Sequence, residues 1–543
     1  MPCVLLVDDD PDQLELRRMI FEREGYRVLA APGTREAVAA FDENGPSLVV
    51  LDLRLPKAED GLALIRQIRE RSNEARIVVL SGWLNDLSGR PERDMVQDVL
   101  PKPVKSAKLL ARAAKLACFC FLLGMSRAWA ADAVVIEVKE PREVIAELDL
   151  RSTGSAWNKV GREAAIAEIR LNGKMIANIP VFMGERTHRY SILLGRLEPG
   201  THTLDYRRSA RSPQGVSLAS SGVRARQIAT NDPNYEVVAH APVLFARTDN
   251  QRFSDVPLAV YCETFTEGSR RTLQYSVIFS NEDGGTSTRA LMARWGRATD
   301  IEMIYRVTLD ENRKPVRAMI QTRDHREVDF NGEYEGFHPL LGVVTENNMV
   351  APEGRSAIRW PLTPRRVVLA DASREQVMDD APWTYRIMAE ELEREGKLRE
   401  FGKVDGQKIS DPRNYLYLEA KVTNADTRIS AVVRLRNSSF WQAAHLGRFD
   451  YAIERSGWIR LAVELPPMTD ARNIAEVGFV CFMENGTKER PVPPASACTL
   501  HSVRKMFQLT PDLVPGPNLW PEPLRQPATI PTGQMMTVLV HGN

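Results

Sequence analysis

The chain has 543 residues, too many for one hydrophobic core, and about three to five domains are expected from that length. Lysine plus arginine number 72 against 71 acids, a net charge of +1, which excludes a partner recruited by bulk charge such as nucleic acid. Hydrophobic residues make up 43%, the ordinary share for soluble globular proteins, and the sequence contains no P-loop, zinc spacing or internal repeat.

The first hundred residues alternate apolar runs with helical spacing. Val4-Leu5-Leu6-Val7 ends in Asp8-Asp9-Asp10, and Leu48-Val49-Val50-Leu51 ends in Asp52, with Pro56 four residues on. Ile77-Val78-Val79-Leu80 delivers Ser81-Gly82, and Val99-Leu100 leads into Pro101-Lys102-Pro103. Between these runs lie helical stretches marked by Leu14, Met19 and Ile20, then Ala37, Ala40 and Phe41, then Leu62, Ile65 and Ile68. Strand-helix alternation of this kind predicts an α/β doubly wound parallel sheet, whose ligand chemistry sits at the C-terminal strand edge. Asp8, Asp9 and Asp52 gathered there repel one another unless a cation intervenes, and an oxygen-only ligand set favours magnesium. Taken singly, the acids also suit a helix cap, Ser81 a turn and Lys102 a solvated surface charge.

Residues 1 to about 107 resemble the receiver domain of two-component response regulators, a flavodoxin-like fold. The resemblance rests on four features in order: the acidic cluster, the Asp-x-x-Leu-Pro loop, the hydroxyl after strand four and Lys-Pro after strand five. It implies that Asp52 is the phosphoacceptor, charged by a histidine kinase or phosphotransfer protein. It also implies that Mg2+ is held by Asp9, Asp52 and the Arg54 backbone carbonyl, with Asp8 acting through water. Lys102 would pair with phosphoryl oxygens, and the Ser81 hydroxyl would bond the phosphorylated form. Three features depart from the family: a loop one residue longer between Asp52 and Asp60-Gly61, Val99 where a switch aromatic is usual, and Gly89-Arg90-Pro91 interrupting the fourth helix.

Residues 108–131 follow with a different signal. Arg112 and Lys115 flank an apolar run from Leu116 to Met125, and Ala128-Trp129-Ala130-Ala131 offers an Ala-x-Ala site. Basic flank, short apolar core and small residues make the pattern of a secretory signal peptide. Three readings stand. Two separate proteins are joined in one reading frame, or the segment is a membrane anchor with its basic flank inside, or it extends the receiver's last helix. The first two place the receiver in the cytoplasm and the residues after 131 in the periplasm or outside.

The remainder reads mostly as β structure. Residues 132–230 carry short alternating strands and an Asn172-Gly173 hairpin turn, expected as an immunoglobulin-like β-sandwich. Residues 231–370 form a second β domain. In it Asp300 and Glu302 share a strand face as a carboxylate pair, Trp295 offers a flat apolar surface, and Glu333, Glu335 and His338 would complete a sugar site. The plainer reading is a polar sheet face with paired charges. The loop Asn281-Glu282-Asp283 suits either calcium or a Gly-Gly turn. A helix within 371–400, near Ser373 and from Trp383 to Leu398, is expected as a linker. Residues 401–508 suggest a jelly-roll-like sandwich with Phe440 and Trp441 facing ligand or core, and 509–543 a proline-rich tail in which Pro511 to Pro531 lie extended over the surface or disordered. Of the three cysteines after 131, Cys481 and Cys498 are the expected bridge if one forms, free buried thiols being the alternative. No catalytic site is read in this region; its alternative function is secreted carbohydrate binding or processing.

Overall fold

The computed structural model describes residues 3–540 except 25, 47, 73–74, 83, 88–89, 105, 107, 111, 114–132, 248–252, 283, 484–495, 521–523 and 525. Two compact units divide the chain after Asp132.

In the first unit, strands β1 (Cys3–Val7), β2 (Arg27–Ala31), β3 (Leu48–Asp52), β4 (Arg76–Ser81) and β5 (Asp98–Pro101) pair in parallel, in the order β2-β1-β3-β4-β5. Helices α1 (Pro11–Arg23), α2 (Thr34–Asn44) and α3 (Ala58–Arg71) connect them. Period-two alternation splits the apolar runs between two cores, which is why they read as continuous. Leu5, Val7, Val49, Leu51, Ile77 and Val79 face Phe41, Leu62, Ile65 and Ile68. Val4, Leu6, Val50, Val78 and Leu80 face Phe21, Leu109 and Ala113. Leu109 and Ala113 therefore pack with this unit, although they fall within the signal-like segment, whose residues 114–131 lie outside the described residues. On α1 the anchor is Phe21; Met19, expected inside, is 54% exposed. Between β4 and β5 the interrupted fourth helix is reduced to two short 3-10 turns, Leu84–Leu87 and Pro91–Arg93. Among the described residues, no helix is long and apolar enough to cross a membrane.

Gly61 sits where α3 touches the loop that carries Asp52. A Cβ there would lie 2.1 Å from the Leu53 carbonyl oxygen. Gly61→Ala is therefore expected to destabilise this unit by about 1–3 kcal/mol, the usual cost of overpacking, read as a lower urea midpoint.

The second unit is mostly β. Strands Arg142–Thr153, His188–Leu197 and Ser217–Ile228 form a three-stranded sheet. Val134–Val138, Ile166–Leu171, Lys174–Pro180 and Gly200–Arg208 form a four-stranded one. Asn172 and Gly173 take φ of 52° and 77°, the left-handed pair that a two-residue hairpin needs. A six-stranded sheet follows, centred on Arg270–Phe279 and Asp300–Leu309, beside a five-stranded sheet containing His338–Val343. Two four-stranded sheets end the unit, and Cys481–Cys498 joins a strand of each at a Cα separation of 5.7 Å.

Three expectations are corrected here. The proline-rich tail supplies strands Ala528–Pro531 and Met535–Val540 to the last two sheets, because its apolar residues alternate around a Gly533 turn. Helix Trp383–Arg394 is not a peripheral linker: Tyr385, Ile387, Met388 and Leu392 are buried in the central core. Ser373 caps no helix through its hydroxyl, which donates to Glu419 at 3.1 Å instead.

Candidate functional site

Each acid of the N-terminal cluster is placed by the end of a strand. Asp8 follows β1 and is 1% exposed; its Oδ1 accepts the Asp10 N–H at 3.0 Å, and its Oδ2 pairs with the Arg17 guanidinium of α1. Asp9 is exposed. Asp10 turns away to cap α1, accepting the Asp12 and Gln13 N–H groups. Asp52 ends β3 and is 8% exposed. Carboxylate oxygens of Asp8, Asp9 and Asp52 lie within 4.8 Å of one another.

A second cation, besides Arg17, faces them. Lys102 Nζ is 2.5 Å from Asp52 Oδ2 and 3.9 Å from Asp8 Oδ2. The Lys102 N–H donates to the Ser81 carbonyl at 2.9 Å, which registers β5 beside β4 and brings the lysine to the acids. Ser81 is buried at the end of β4. Arg54 points its guanidinium at Asp86, with the shortest approach 2.9 Å, while its N–H lies 3.4 Å from Asp52 Oδ1. Hard oxygen ligands beside a half-buried ammonium suit a divalent cation and an oxyanion together.

Residues 4–114 match the response regulator receiver domain family. An uncharacterised 14.6 kDa protein of Leptolyngbya boryana is 32% identical over 121 residues, 22% of this chain and 91% of that protein. The chain belongs to the response regulator receiver family through this segment. The transcriptional regulatory protein AruR of Pseudomonas aeruginosa is 36% identical over 122 residues, 21% of this chain and 49% of AruR, so the chain spans about half that relative's length. The solved structure of response regulator TrrA from Thermotoga maritima with Mg2+-BeF is 27% identical, covering 21% of this chain and 99% of that one, with a TM-score of 0.20.

The receiver site thus assembles Asp8, Asp9, Asp52 and Lys102, with Ser81 and Arg54 on adjoining strand ends. Sequence reasoning missed Arg17. Its only local signal is a basic residue on α1, a helix that starts at the acidic edge.

Beyond the receiver, the sugar-site residues do not converge. Trp295 ends the helix Thr288–Trp295, and its ring is taken by guanidinium groups, Arg294 at 4.6 Å and Arg455 at 5.0 Å. Glu333 and Glu335 are exposed and pair with Arg355 and Arg359. His338 is 2% exposed; its Nδ1 meets the Ala241 carbonyl at 2.8 Å and its Nε2 meets Glu143 at 3.1 Å. Both ring nitrogens face acceptors, so this histidine ties strands together rather than binding a sugar. In the loop that suits either calcium or a turn, Glu282 accepts the Thr286 N–H and Asn281 donates to Glu395, while Asp283 lies outside the described residues. Phe440 is 76% exposed, and Arg434 lies 5.8 Å from the Trp441 ring centre.

Asp300 and Glu302 do stand together, but inside the protein. Asp300 is 2% exposed, accepts Asn348 Nδ2 at 3.0 Å and lies 3.9 Å from Arg297. Burial raises the pKa of both carboxyls, with Asp300 adding to the shift of Glu302 and the Arg297 and Arg374 guanidiniums opposing it. Burial and then Asp300 push Glu282 up to about 7. Carboxyls raised on folding stabilise fully below their unfolded values near 4, and that stabilisation fades as pH rises through the folded values. The second unit is expected to lose stability between about pH 5 and 7, and Glu302→Gln to flatten that slope in denaturant unfolding at stepped pH.

Proposed function

We propose that the receiver is a phosphoacceptor in two-component phosphorelay signalling, with Asp52 phosphorylated by a histidine kinase or phosphotransfer protein. The observation that carries this is the convergence of Asp8, Asp9 and Asp52 within 4.8 Å, with the Lys102 ammonium on Asp52. The donor set fits Mg2+: Asp9, Asp52 and the Arg54 carbonyl would hold the ion, and Asp8 would act through water. When bound, the ion supplies charge neutralisation for the phosphoryl oxygens. An Asp52 carboxylate oxygen forms the new O–P bond as the donor's N–P bond breaks, and the imidazole leaves with the bonding pair and takes a proton. Lys102 offers its ammonium to the arriving phosphoryl oxygens, and Ser81 its hydroxyl to the product.

The test is labelling by phosphoramidate in the presence of magnesium. A label released by hydroxylamine, as an acyl phosphate is, supports the reading; a protein that stays unlabelled overturns it.

For residues after 131 we propose an extracytoplasmic β protein, with the receiver cytoplasmic and the apolar run from Leu116 to Met125 as the export or anchoring segment. The Cys481–Cys498 bridge supports this, since structural disulfides persist in oxidising compartments. Blotting of fractionated cells with antibodies to each unit tests it. A full-length membrane band supports a single anchored chain, two species in separate compartments support two proteins, and one cytoplasmic band removes the proposal.

A further inference from the structure

Asp8 has both carboxylate oxygens engaged before any metal arrives. Oδ1 takes the Asp10 N–H, and Oδ2 takes the Arg17 guanidinium, with Lys102 Nζ 3.9 Å from the same oxygen. Arg17 is no loose surface charge. Its side chain is 13% exposed, against 1% for Asp8, and its other guanidinium nitrogen is steadied by Gln13 Oε1 at 3.3 Å. Three carboxylates here meet two resident cations, Arg17 and Lys102, which leaves the cluster one charge from neutral. Lys102 also sits on Asp52, where a phosphoryl group would find it useful. Among the described residues, the charged partner of Arg17 is Asp8, and not Asp9 or Asp52.

We infer that Arg17 is a positioning residue that competes with the divalent cation: it holds Asp8 and lowers the affinity of the receiver for Mg2+. The inference rests on the proposal that the acidic cluster takes this ion. A dication entering beside a fixed guanidinium meets repulsion, and a carboxylate oxygen shared with Arg17 is a poorer acceptor for the ion or its water. By linkage, metal entry in turn loosens the Arg17–Asp8 pair, so loading the site frees the face of α1 that carries Arg17.

Isothermal titration of Mg2+ into the full chain tests this without any phosphorylation step. Arg17→Gln, which removes the charge and keeps a helix-compatible polar side chain, is expected to bind Mg2+ on the order of tenfold more tightly. Arg17→Lys, which keeps the charge, is expected to stay within about threefold of the parent. Asp9→Ala is expected to abolish binding in every background. If the parent binds no Mg2+, or binds it regardless of Asp9, the metal reading itself falls. If the parent binds through Asp9 while Arg17→Gln binds equally or more weakly, the competitor role is overturned and the metal reading stands.

Discussion

Asp52→Asn is expected to reduce phosphoramidate labelling of this protein below detection, a loss of at least about a hundredfold. The two side chains have nearly the same shape, so the loop before α3 keeps its path and Gly61 keeps its contact with Leu53. What changes is the nucleophile. A carboxamide oxygen is neutral and far less nucleophilic than a carboxylate, and an amide nitrogen carries its lone pair into resonance. The substitution also removes the negative partner of Lys102, whose Nζ stands 2.5 Å from Asp52 Oδ2. Stability is expected to move the other way. Three acids within 4.8 Å repel when no dication is present, so deleting one charge leaves the urea midpoint equal or higher. A labelled variant with unchanged kinetics would remove Asp52 from the role, and an unfolded one would show itself in the same melt.

The receiver was legible because its strands are buried on both faces. Continuous apolar runs such as Val49 to Leu51 mark a parallel sheet, and the acid, hydroxyl or lysine that follows Val7, Leu51, Leu80 and Leu100 marks its functional edge. Arg17 was not legible, because an ion pair between a helix face and a strand end depends on how the two pack. The β region gave up its local turns but not its partnerships. Asn172-Gly173 specifies a hairpin from two residues, whereas nothing local tells the tail strand Met535–Val540 to pair with Ile474–Met483. Asp300 and Glu302 show the same limit. Alternation placed them side by side, but it is Asn348 and Arg297, outside that strand, that engage the buried Asp300. Trp295 and His338 carry chemistry suited to a sugar site, and tertiary packing committed both to Arg455 and Glu143 instead.

The largest stability effect is expected at a residue the sequence gives no reason to single out. Arg460→Ala is expected to cost the second unit about 3–5 kcal/mol, the range seen when one partner of a buried ion pair is removed. Arg460 lies on strand Gly457–Glu464 directly across from Glu419, and both are 0% exposed. Its guanidinium donates to Glu419, to both oxygens of Asp379 at 2.8 and 2.6 Å, and to the Tyr385 hydroxyl at 3.0 Å. Truncation leaves Glu419 with Arg504 and Asp379 with Lys505 as their remaining cationic partners among the described residues. Calorimetric melting reads the cost directly. Arg460→Ala with Glu419→Gln is expected to cost less than the sum of the two single changes, because one stranded charge has been removed with its partner. The pH dependence offers a separate check. Burial alone would raise the Asp379 carboxyl, but Arg460 and then Lys505 outweigh it and hold the pKa below the ordinary value of 3.8. A depressed carboxyl stabilises above its unfolded value, and that contribution disappears as pH falls through the folded one. The gap between parent and Arg460→Ala should therefore be full near neutrality and narrow below about pH 4, as protonation discharges the acid that the arginine was there to meet.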